Sequence, residues 1–382
     1  MTRRLLFLVA DTGGAHRTFA TGVARHLAAA HPGEVETAIV DPFASATSRV
    51  PRGTTRLYGP LTVHAPWAWG ALWHATNSRL AAALVEQSLR ILNPAMTRSV
   101  RRMDPSAIVS FHPLLACSAV RARRHLGLRA PVVSVVTDLV DVHALWACPD
   151  VDMLIVPSPV ALDRCRRAGV APERLVQIGL PVDPLFTRPG LDPATKASRR
   201  AAVGLVPDRF TVLLTGGADG SGDLVRRARL IAASDLDLGL VVVCGRNRHA
   251  ERQLAGLRDR SGHPVTVRGF VDDMPDWMSV ADAVVSKAGA GTVAEALCSG
   301  LPLLIVWFIP GQERGNMEWA VAGGAARYVP GDAELLREVA LLAAPGSAAL
   351  ERMRADAARL ARPAAAADIA ERILSLATPA QT

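Results

Sequence analysis

The chain has 382 residues, of which half are hydrophobic and a fifth are charged, and its formal net charge is +8 at pH 7. This length exceeds one ordinary hydrophobic core and predicts two domains, and the composition is that of a globular protein rather than a disordered one. Aromatic residues make up only 4% of the chain, without the stacking pattern of an RNA-binding module. The basic charge therefore favours an anionic substrate or an anionic lipid surface over nucleic acid.

The apolar runs of the sequence are too short to be membrane spans. The longest is Leu301–Pro310, whereas a transmembrane helix needs about 20 apolar residues. The N-terminus begins with two arginines and an apolar run, but Asp11 ends that run early, which favours a first buried strand over a signal peptide. The five scattered cysteines, without a Cys-x-x-Cys pair, predict reduced thiols in a cytoplasmic protein, with no zinc site and no disulfide framework.

The first predicted element is a strand near residues 5–10, and a glycine turn and a helix to about residue 30 follow it. His16 lies at the start of this helix. A helix N-terminus disfavours the imidazolium form, so His16 is expected to be neutral near pH 7 and able to take a proton from a hydroxyl. A surface histidine at a helix start is the alternative.

The next informative segment, Leu57–Trp73, contains three tryptophans among prolines and apolar residues, and Arg98, Arg101 and Arg102 follow it. Tryptophan with nearby cations is typical of a membrane interface. The alternative is an ordinary hydrophobic patch beneath a helix.

Asp138 directly follows a predicted strand near residues 132–136, and such a position favours the orientation of a base or of a sugar hydroxyl. A cap of the next helix is the alternative. Asp138, Asp141 and His143 do not have the spacing of known metal ligands, and no second cluster completes a set, so we expect no metal site.

The second half of the chain repeats the order of the first. A strand near residues 210–214 precedes the turn Gly216-Gly217 and a helix from about Ser221. Alternation of short strands with helices predicts two doubly wound α/β domains with parallel sheets, and ligands bind such sheets at the carboxyl ends of the strands. Further strands are predicted near residues 36–40, 107–111, 153–156, 175–178, 239–244, 265–268, 283–285, 303–306 and 326–329.

Two turns of the second half contain candidate nucleotide contacts. Arg246 follows a strand and a glycine, so it either faces a phosphate or is a solvated arginine. Phe270 and Val271 lie in a turn after the next strand and are suited to a flat base, although an isolated phenylalanine is more often a core residue.

The stretch Ser286–Leu297 predicts a strand, a glycine-rich turn and a helix N-terminus. Small residues allow backbone N–H groups to approach a ligand, and the helix end adds partial positive charge, so the pattern favours phosphate. Glu295 lies about one turn inside the helix, where a hydrogen bond to a ribose is the natural role for a carboxylate. Farther on, Ile309–Asn316 is a polar loop after an apolar strand, typical of sugar recognition or of a solvated turn.

Taken together, three segments resemble one family: residues 11–17, residues 137–186 and residues 244–316. They are similar to the monogalactosyldiacylglycerol synthases and the related bacterial diacylglycerol glucosyltransferases, and more distantly to the peptidoglycan N-acetylglucosaminyltransferase. The resemblance implies the GT-B architecture, in which two Rossmann-like domains face each other across a cleft. It also implies inverting, metal-independent transfer from a UDP-sugar, with no cofactor.

The resemblance also implies roles for individual residues. His16 takes the place of the general base, and Asp138 is kept as the second candidate for the proton acceptor. The predicted donor site comprises Gly216, Gly217 and Arg246, Phe270 and Val271 at uracil, Gly289, Ala290, Gly291 and Thr292 at the diphosphate, Glu295 at the ribose, and Gln312, Glu313 and Asn316 at the sugar. Ala15 and Ala290 depart from the family pattern, which has glycine and proline there.

The predicted domains are an acceptor-binding domain over residues 1–185, a linker over 186–206, a UDP-sugar-binding domain over 207–360, and a C-terminal helix over 361–382 that packs back on the first domain. The leading expectation is transfer of a hexose to diacylglycerol by an enzyme bound peripherally to the cytoplasmic face of the cell membrane. A soluble aglycone as acceptor, a UDP-sugar 2-epimerase and a non-catalytic UDP-sugar-binding protein remain as alternatives. Glucose, galactose and N-acetylglucosamine all stay open as the sugar.

Overall fold

The computed structural model describes residues 2–10, 14–44, 59–188 and 190–377. These residues fold into two compact units. Unit 1 takes its residues from 1–184, 310–312 and 362–382, and unit 2 takes its residues from 185–309 and 313–361. Each unit contains a six-stranded sheet with helices connecting its strands, which confirms the predicted fold class of two doubly wound α/β sheets.

The strands of unit 1 are β1 (Arg3–Leu8), β2 (Val35–Val40), β3 (Ala107–Ser110), β4 (Val132–Val135), β5 (Met153–Val156) and β6 (Leu175–Gln177). They lie in the order β2-β1-β3-β4-β5-β6, and every neighbouring pair is parallel. Strands β3, β4 and β5 are buried along their whole length. Nearly continuous apolar runs such as these are what a parallel sheet covered on both faces requires.

In the first part of unit 1, the helices are α1 (Ala15–Ala30), α2 (Pro66–Thr76), α3 (Arg79–Ser88), α4 (Asn93–Met103), α5 (Ala116–His125) and α6 (Pro159–Arg167). Residues 59–64 are also helical. Short 3₁₀ turns occupy Leu89–Leu92, Ala144–Trp146, Pro172–Arg174 and Pro184–Thr187. No helix within the described ranges is long and apolar enough to cross a membrane.

The strands of unit 2 are β7 (Phe210–Thr215), β8 (Leu238–Val243), β9 (Thr266–Arg268), β10 (Ala283–Lys287), β11 (Leu303–Trp307) and β12 (Ala326–Tyr328). They lie in the order β12-β11-β10-β7-β8-β9, again with parallel neighbours. All twelve strands of the two sheets lie within two residues of their predicted positions.

The helices of unit 2 are α7 (Pro193–Ala202), α8 (Leu224–Ala232), α9 (Arg248–Leu254), α10 (Met274–Val280), α11 (Ala290–Cys298), α12 (Arg314–Ala322), α13 (Asp332–Ala343) and α14 (Ala348–Leu360). The last helix of the chain, α15 (Ala365–Leu376), belongs to unit 1 and packs against α1. Its side chains Ile369 and Ile373 are fully buried.

Helix α7 lies within residues 186–206, the segment that the sequence predicts as a linker. The Asp192 carboxylate accepts a hydrogen bond from the N–H of Thr195 at 3.0 Å, and Pro193 occupies the first turn. This pair is a helix start signal. The proline and aspartate that suggested a linker therefore begin a helix, which the buried Arg200 anchors through hydrogen bonds to Val280, Pro207 and Arg209 carbonyls.

The structure also corrects the expectation that all cysteines are reduced thiols. Cys117, in α5, and Cys148 form a disulfide, with their Cα atoms 5.7 Å apart. The two residues are 31 positions apart in the sequence, and only the packing of α5 beside the loop after Trp146 brings them together. Cys165, Cys244 and Cys298 are not part of a disulfide.

The packing of α1 gives a prediction about Gly22. A Cβ atom at this position would lie 2.9 Å from the carbonyl oxygen of Pro181 and 3.1 Å from the backbone nitrogen of Asp183. Alanine is normally favoured over glycine in a helix by about 1 kcal/mol, but here it meets backbone that cannot move aside. We expect Gly22→Ala to lower the free energy of unfolding by about 1–3 kcal/mol in urea denaturation.

Gly59→Ala is the matched control, because a Cβ atom there meets nothing within 4 Å. We expect it to leave the urea midpoint unchanged or raise it slightly. A Gly22→Ala protein as stable as the wild type would contradict the close approach of α1 to this loop.

Candidate functional site

The candidate base, His16, is the second residue of α1. Gly14 precedes the helix with φ of +104°, a backbone conformation that favours glycine. This residue turns the chain from β1 into the helix and places His16 at the carboxyl end of the sheet of unit 1. The rest of the predicted turn, residues 11–13, lies outside the described residues.

Three side chains from other elements surround the imidazole of His16. Its Nδ1 lies 2.8 Å from the hydroxyl oxygen of Thr137. The ring of His112 meets it edge-on with centroids 4.6 Å apart, and Trp146 lies 6.4 Å away. Thr137 follows β4 and His112 follows β3, so the parallel pairing of these strands brings both side chains to the same edge.

Burial sets the protonation state of this cluster. It lowers the pKa of His16 from 6.5 to about 4, although a hydrogen bond with the main chain of Phe111 opposes the shift. Burial also lowers the pKa of His112 well below 6.5, and the neighbouring His16 lowers it further. Both imidazoles are therefore neutral at pH 7, and His16 is in the form that can accept a proton.

Asp138, the second predicted catalytic residue, contacts a different partner. The indole N–H of Trp146 donates a hydrogen bond to Asp138 Oδ2 at 2.7 Å. The side chain that contacts Nδ1 of His16 belongs to Thr137, the residue immediately before Asp138. Sequence reasoning missed Thr137 and His112, although both occupy positions directly after buried strands.

The other two polar residues of this segment have structural partners. Asp141 forms a 2.8 Å ion pair with Arg164. His143 accepts a hydrogen bond from the N–H of Leu145 at 3.1 Å and lies 3.1 Å from the hydroxyl of Thr76. Across the described part of the chain, no group of three or more His, Cys, Asp or Glu side chains could hold a metal ion.

In unit 2, the predicted phosphate turn lies between β10 and α11. Gly289 is the N-cap of α11, and Ala290 is its first residue. Proline, the residue of the family pattern, is favoured at this first position. The alanine that replaces it here also begins the helix, so the departure leaves the helix start in place. Gly291 and Thr292 continue the first turn, where backbone N–H groups have no hydrogen-bond acceptor within the helix. The half-buried Glu295 follows one turn later.

The turn after β7 lies in the same sheet. A Cβ atom on Gly216 would lie 2.3 Å from the carbonyl oxygen of Ser221, and Gly217 has φ of +69°. Both positions therefore require glycine for the turn itself, whatever it binds. The strands before this turn and before Gly289 are neighbours in the sheet, so the two glycine turns lie at one edge.

The predicted nucleotide contacts Arg246 and Phe270 lie close to each other. Arg246 forms a 2.8 Å ion pair with Asp219, and its guanidinium carbon lies 5.8 Å from the centre of the Phe270 ring. Phe270 is 55% exposed, so it is not the core residue that was the alternative. Val271, beside it, is partly buried.

The predicted sugar-binding residues are more buried than a solvated loop would be. Glu313 is 5% exposed and Asn316 is 2% exposed. The amide nitrogen of Asn316 donates to the carbonyl oxygen of Ala288 at 3.0 Å, whereas its Oδ1 is buried without a hydrogen-bond partner. Asn316 thus supports the predicted phosphate turn, and its Oδ1 remains as an unused acceptor. Gln312 is partly buried and belongs to unit 1.

Lys287, which sequence reasoning left without a role, forms an ion pair with Glu313. The second oxygen of Glu313 accepts the N–H of Ile309 at 3.0 Å. A Cβ atom on Gly289 would lie 3.0 Å from the Lys287 nitrogen. The signal that could have found this residue is its position, since a lysine ends β10 immediately before the glycine-rich turn.

The tryptophan segment is only partly exposed. Trp67 is 76% exposed, whereas Trp73 is 7% exposed and lies in the core. Of the ten large hydrophobic side chains that are exposed in the described residues, six lie within residues 63–91: Val63, Trp67, Leu72, Leu80, Leu84 and Ile91. We call residues 63–91 the apolar helical surface. Residues 45–58, which include the start of the predicted tryptophan segment, lie outside the described residues.

Comparison with known proteins identifies relatives for both halves of the chain. Residues 16–182 match the family model of the monogalactosyldiacylglycerol (MGDG) synthases, and residues 211–372 match that of the glycosyltransferase family 28 C-terminal domain. The chain is 31% identical to monogalactosyldiacylglycerol synthase 1 of Arabidopsis thaliana over 95% of its own length and 69% of the plant protein. The spinach monogalactosyldiacylglycerol synthase is likewise 31% identical, over 94% of this chain and 70% of the relative.

Solved structures support the fold. MurG of Acinetobacter baumannii superimposes with a TM-score of 0.59 and 17% identity over 98% of this chain and 99% of its own. UDP-GlcNAc 2-epimerase of Neisseria meningitidis, bound to UDP-GlcNAc, gives 0.59 and 14% identity over 98% and 100% of the two chains. At these identities the likeness shows the shared architecture alone.

The buried histidines predict how stability depends on pH. Burial lowers the pKa of His143 from 6.5 to about 4. Between these values the unfolded chain binds a proton that the folded chain does not, so stability falls as pH falls from about 6.5 to 4. The expected slope is at most about 1.4 kcal/mol per pH unit for each such histidine.

Urea denaturation at pH values from 7.5 to 5.0 measures this slope. His143→Asn removes one titrating group, and it is expected to give a shallower pH dependence than the wild type. Equal slopes for the two proteins would show that His143 does not titrate in this window.

Proposed function

Since the chain belongs to the monogalactosyldiacylglycerol synthase family of glycosyltransferases, we propose that it transfers a hexose from a UDP-sugar to the hydroxyl of a lipid acceptor, diacylglycerol. The observation that carries the proposal is the state of His16. A neutral imidazole, held at Nδ1 by Thr137, lies at the position that the family pattern gives to the general base. Unit 2 supports the donor half of the proposal with two glycine turns and a helix N-terminus at one sheet edge.

The proposed reaction is a direct displacement at the anomeric carbon. His16 takes the proton of the acceptor hydroxyl, the acceptor oxygen bonds to the anomeric carbon, and the bond from that carbon to the diphosphate oxygen breaks. The configuration inverts and UDP leaves. The first turn of α11 offers N–H groups and partial positive charge to the diphosphate, so no metal ion is needed for its binding.

The orientation of His16 suits this role in one tautomer. If Nδ1–H donates to the Thr137 hydroxyl, the lone pair of Nε2 is the one that accepts the proton. A pKa near 4 means that the neutral imidazole predominates over the imidazolium throughout the physiological range. It also makes the proton transfer uphill, which is the cost of keeping the base unprotonated in a buried site.

The donor site that we propose follows the family pattern. Phe270 and Val271 bind uracil, Glu295 binds the ribose, and Gly289–Thr292 bind the diphosphate. Asn316 adds support for the sugar position, because its buried Oδ1 has no hydrogen-bond partner. A sugar hydroxyl within reach would satisfy an acceptor that otherwise costs free energy to bury.

The apolar helical surface supports a lipid acceptor. Leu80 and Leu84 are one turn apart on α3 and are 75% and 66% exposed, so they lie on the same face. Arg79 and Arg90 are exposed in the same segment. Apolar side chains beside arginines are suited to the interface of an anionic membrane, and we propose that the enzyme binds the cytoplasmic face of the cell membrane through this surface.

The test of the reaction is mass spectrometry of lipid products. UDP-glucose, UDP-galactose and UDP-N-acetylglucosamine are each supplied with a mixed lipid extract. We expect hexosyl-diacylglycerol as the product, and proton NMR of the sugar is expected to show the β anomer. Conversion of UDP-N-acetylglucosamine without an acceptor would identify an epimerase instead. Transfer only to soluble hydroxyl compounds would exclude the lipid acceptor. UDP binding without any turnover would identify a non-catalytic binding protein.

His16→Ala tests the base. We expect transfer to slow by about 10²–10⁴-fold, which is typical of a lost general base, while UDP affinity, measured by calorimetry, stays unchanged. His31→Ala, at the other end of α1, is the control and should retain activity. Normal turnover by His16→Ala would eliminate this residue as the base.

The membrane surface is tested with vesicles. Trp67→Gln and Leu84→Gln are each expected to weaken binding to phosphatidylglycerol-containing vesicles by about 10–100-fold, because each removes a large apolar side chain worth about 1.5–3 kcal/mol on burial. Leu341→Gln, which changes a side chain 49% exposed in unit 2, is the matched control. Vesicle flotation that is unaffected by the first two changes would rule out this surface.

A further inference from the structure

We propose that Lys287 is a catalytic residue that neutralises the charge arising on the leaving diphosphate, and that Glu313 positions it. The proposal rests on the proposed function, since it assumes a UDP-sugar donor. It adds a side-chain cation to a phosphate site that otherwise consists of backbone N–H groups and a helix end.

The position of Lys287 is the first reason. It is the last residue of β10, so its side chain begins at the carboxyl end of the sheet. A Cβ atom on Gly289 would lie 3.0 Å from its nitrogen, and a Cβ atom on Gly217 would lie 3.4 Å from its Cε. The ammonium group therefore lies beside both glycine turns, in space that is open because Gly217 and Gly289 have no side chains.

The setting of its partner is the second reason. Side chains of Lys287 and Glu313 are only 14% and 6% exposed. Glu313 is held from the other side by the N–H of Ile309, so the carboxylate is fixed and in turn fixes the ammonium. An ammonium group has three hydrogens, and Glu313 takes one of them, so Lys287 can donate to a phosphate oxygen without leaving its partner.

The charge balance of the reaction is the third reason. When the bond from the anomeric carbon to oxygen breaks, the electron pair stays on the diphosphate, whose charge changes from about −2 to −3. A helix N-terminus supplies the equivalent of about half a positive charge. A fixed ammonium beside the turn stabilises the additional charge in the transition state more than the smaller charge in the ground state, which is the condition for catalysis.

The other end of β10 contains an ion pair that serves as a comparison. Lys196 lies 2.7 Å from Asp282 Oδ1 and donates to the carbonyl oxygen of Ala281 at 2.7 Å. Asp282, which precedes β10, also pairs with Arg200. These bonds hold Lys196 at the amino end of β10, whereas the glycine turns lie at the carboxyl end of the sheet. Lys196→Met therefore makes the same chemical change at a lysine for which we propose no role in binding the diphosphate.

The experiment compares the affinities of UDP and UMP by calorimetry. A cation on the outer phosphate strengthens UDP binding and has little effect on UMP. We expect Lys287→Met to weaken UDP binding by about 10–100-fold, the range for a charge-assisted hydrogen bond, to change UMP binding by less than about threefold, and to lower kcat for transfer. Lys196→Met should leave the ratio of the two affinities at its wild-type value.

Removing Lys287 alone leaves the Glu313 carboxylate buried without its partner, which can unfold the protein. The double variant Lys287→Met with Glu313→Gln removes both charges together and is the form to use if the single variant is unstable. It should show the same loss of preference for UDP over UMP. Lys287→Arg keeps the charge and is expected to recover most of that preference but less of kcat, because its geometry differs.

The outcomes separate this inference from the proposed function. If the wild-type protein binds UDP and transfers hexose, while the folded double variant keeps the wild-type preference for UDP, then Lys287 has only a structural role and the inference is wrong. If the wild-type protein itself binds no UDP, the proposed donor is wrong.

Discussion

Parallel strands impose the constraint on which both candidate sites depend. In a parallel sheet the carboxyl ends of neighbouring strands lie at one edge, so residues distant in sequence become neighbours there. In unit 1 this edge brings His112 and Thr137 to the helix that carries His16. In unit 2 it brings the turn after β7 beside the turn after β10, with Lys287 between them. The chemistry of each unit is thus a consequence of strand order.

The two edges differ in the charge that their side chains bear. In unit 1 burial removes charge, since it lowers the pKa of His16 and His112 until both are neutral. In unit 2 two charged side chains lie together, since Lys287 and Glu313 form an ion pair. A transferase of the proposed kind requires both effects, because a base must be unprotonated before the reaction and a leaving anion must meet a cation during it.

Much of the fold was predictable because it depends on local pattern. Apolar runs separated by glycine turns locate all twelve strands, and the same logic places His16 and the turn before α11 at strand ends. The contacts of Thr137 were not predictable, because a threonine after a strand has many possible partners. The disulfide between Cys117 and Cys148 was missed for the same reason. Burial of Glu313 depends on the packing of one loop against Lys287, which periodicity does not encode.

The distribution of apolar surface bears on how a lipid acceptor would be used. The apolar helical surface belongs to unit 1, the same unit that contains His16. An acceptor drawn from a membrane needs its hydroxyl delivered to the base while its acyl chains stay in an apolar environment. Exposed leucines on α3 and the half-buried imidazole of His16 within one folding unit suit both requirements of the acceptor that we propose. In contrast, the two glycine turns of unit 2 consist of backbone and glycine beside one ion pair, which suits the water-soluble and strongly anionic donor that we propose.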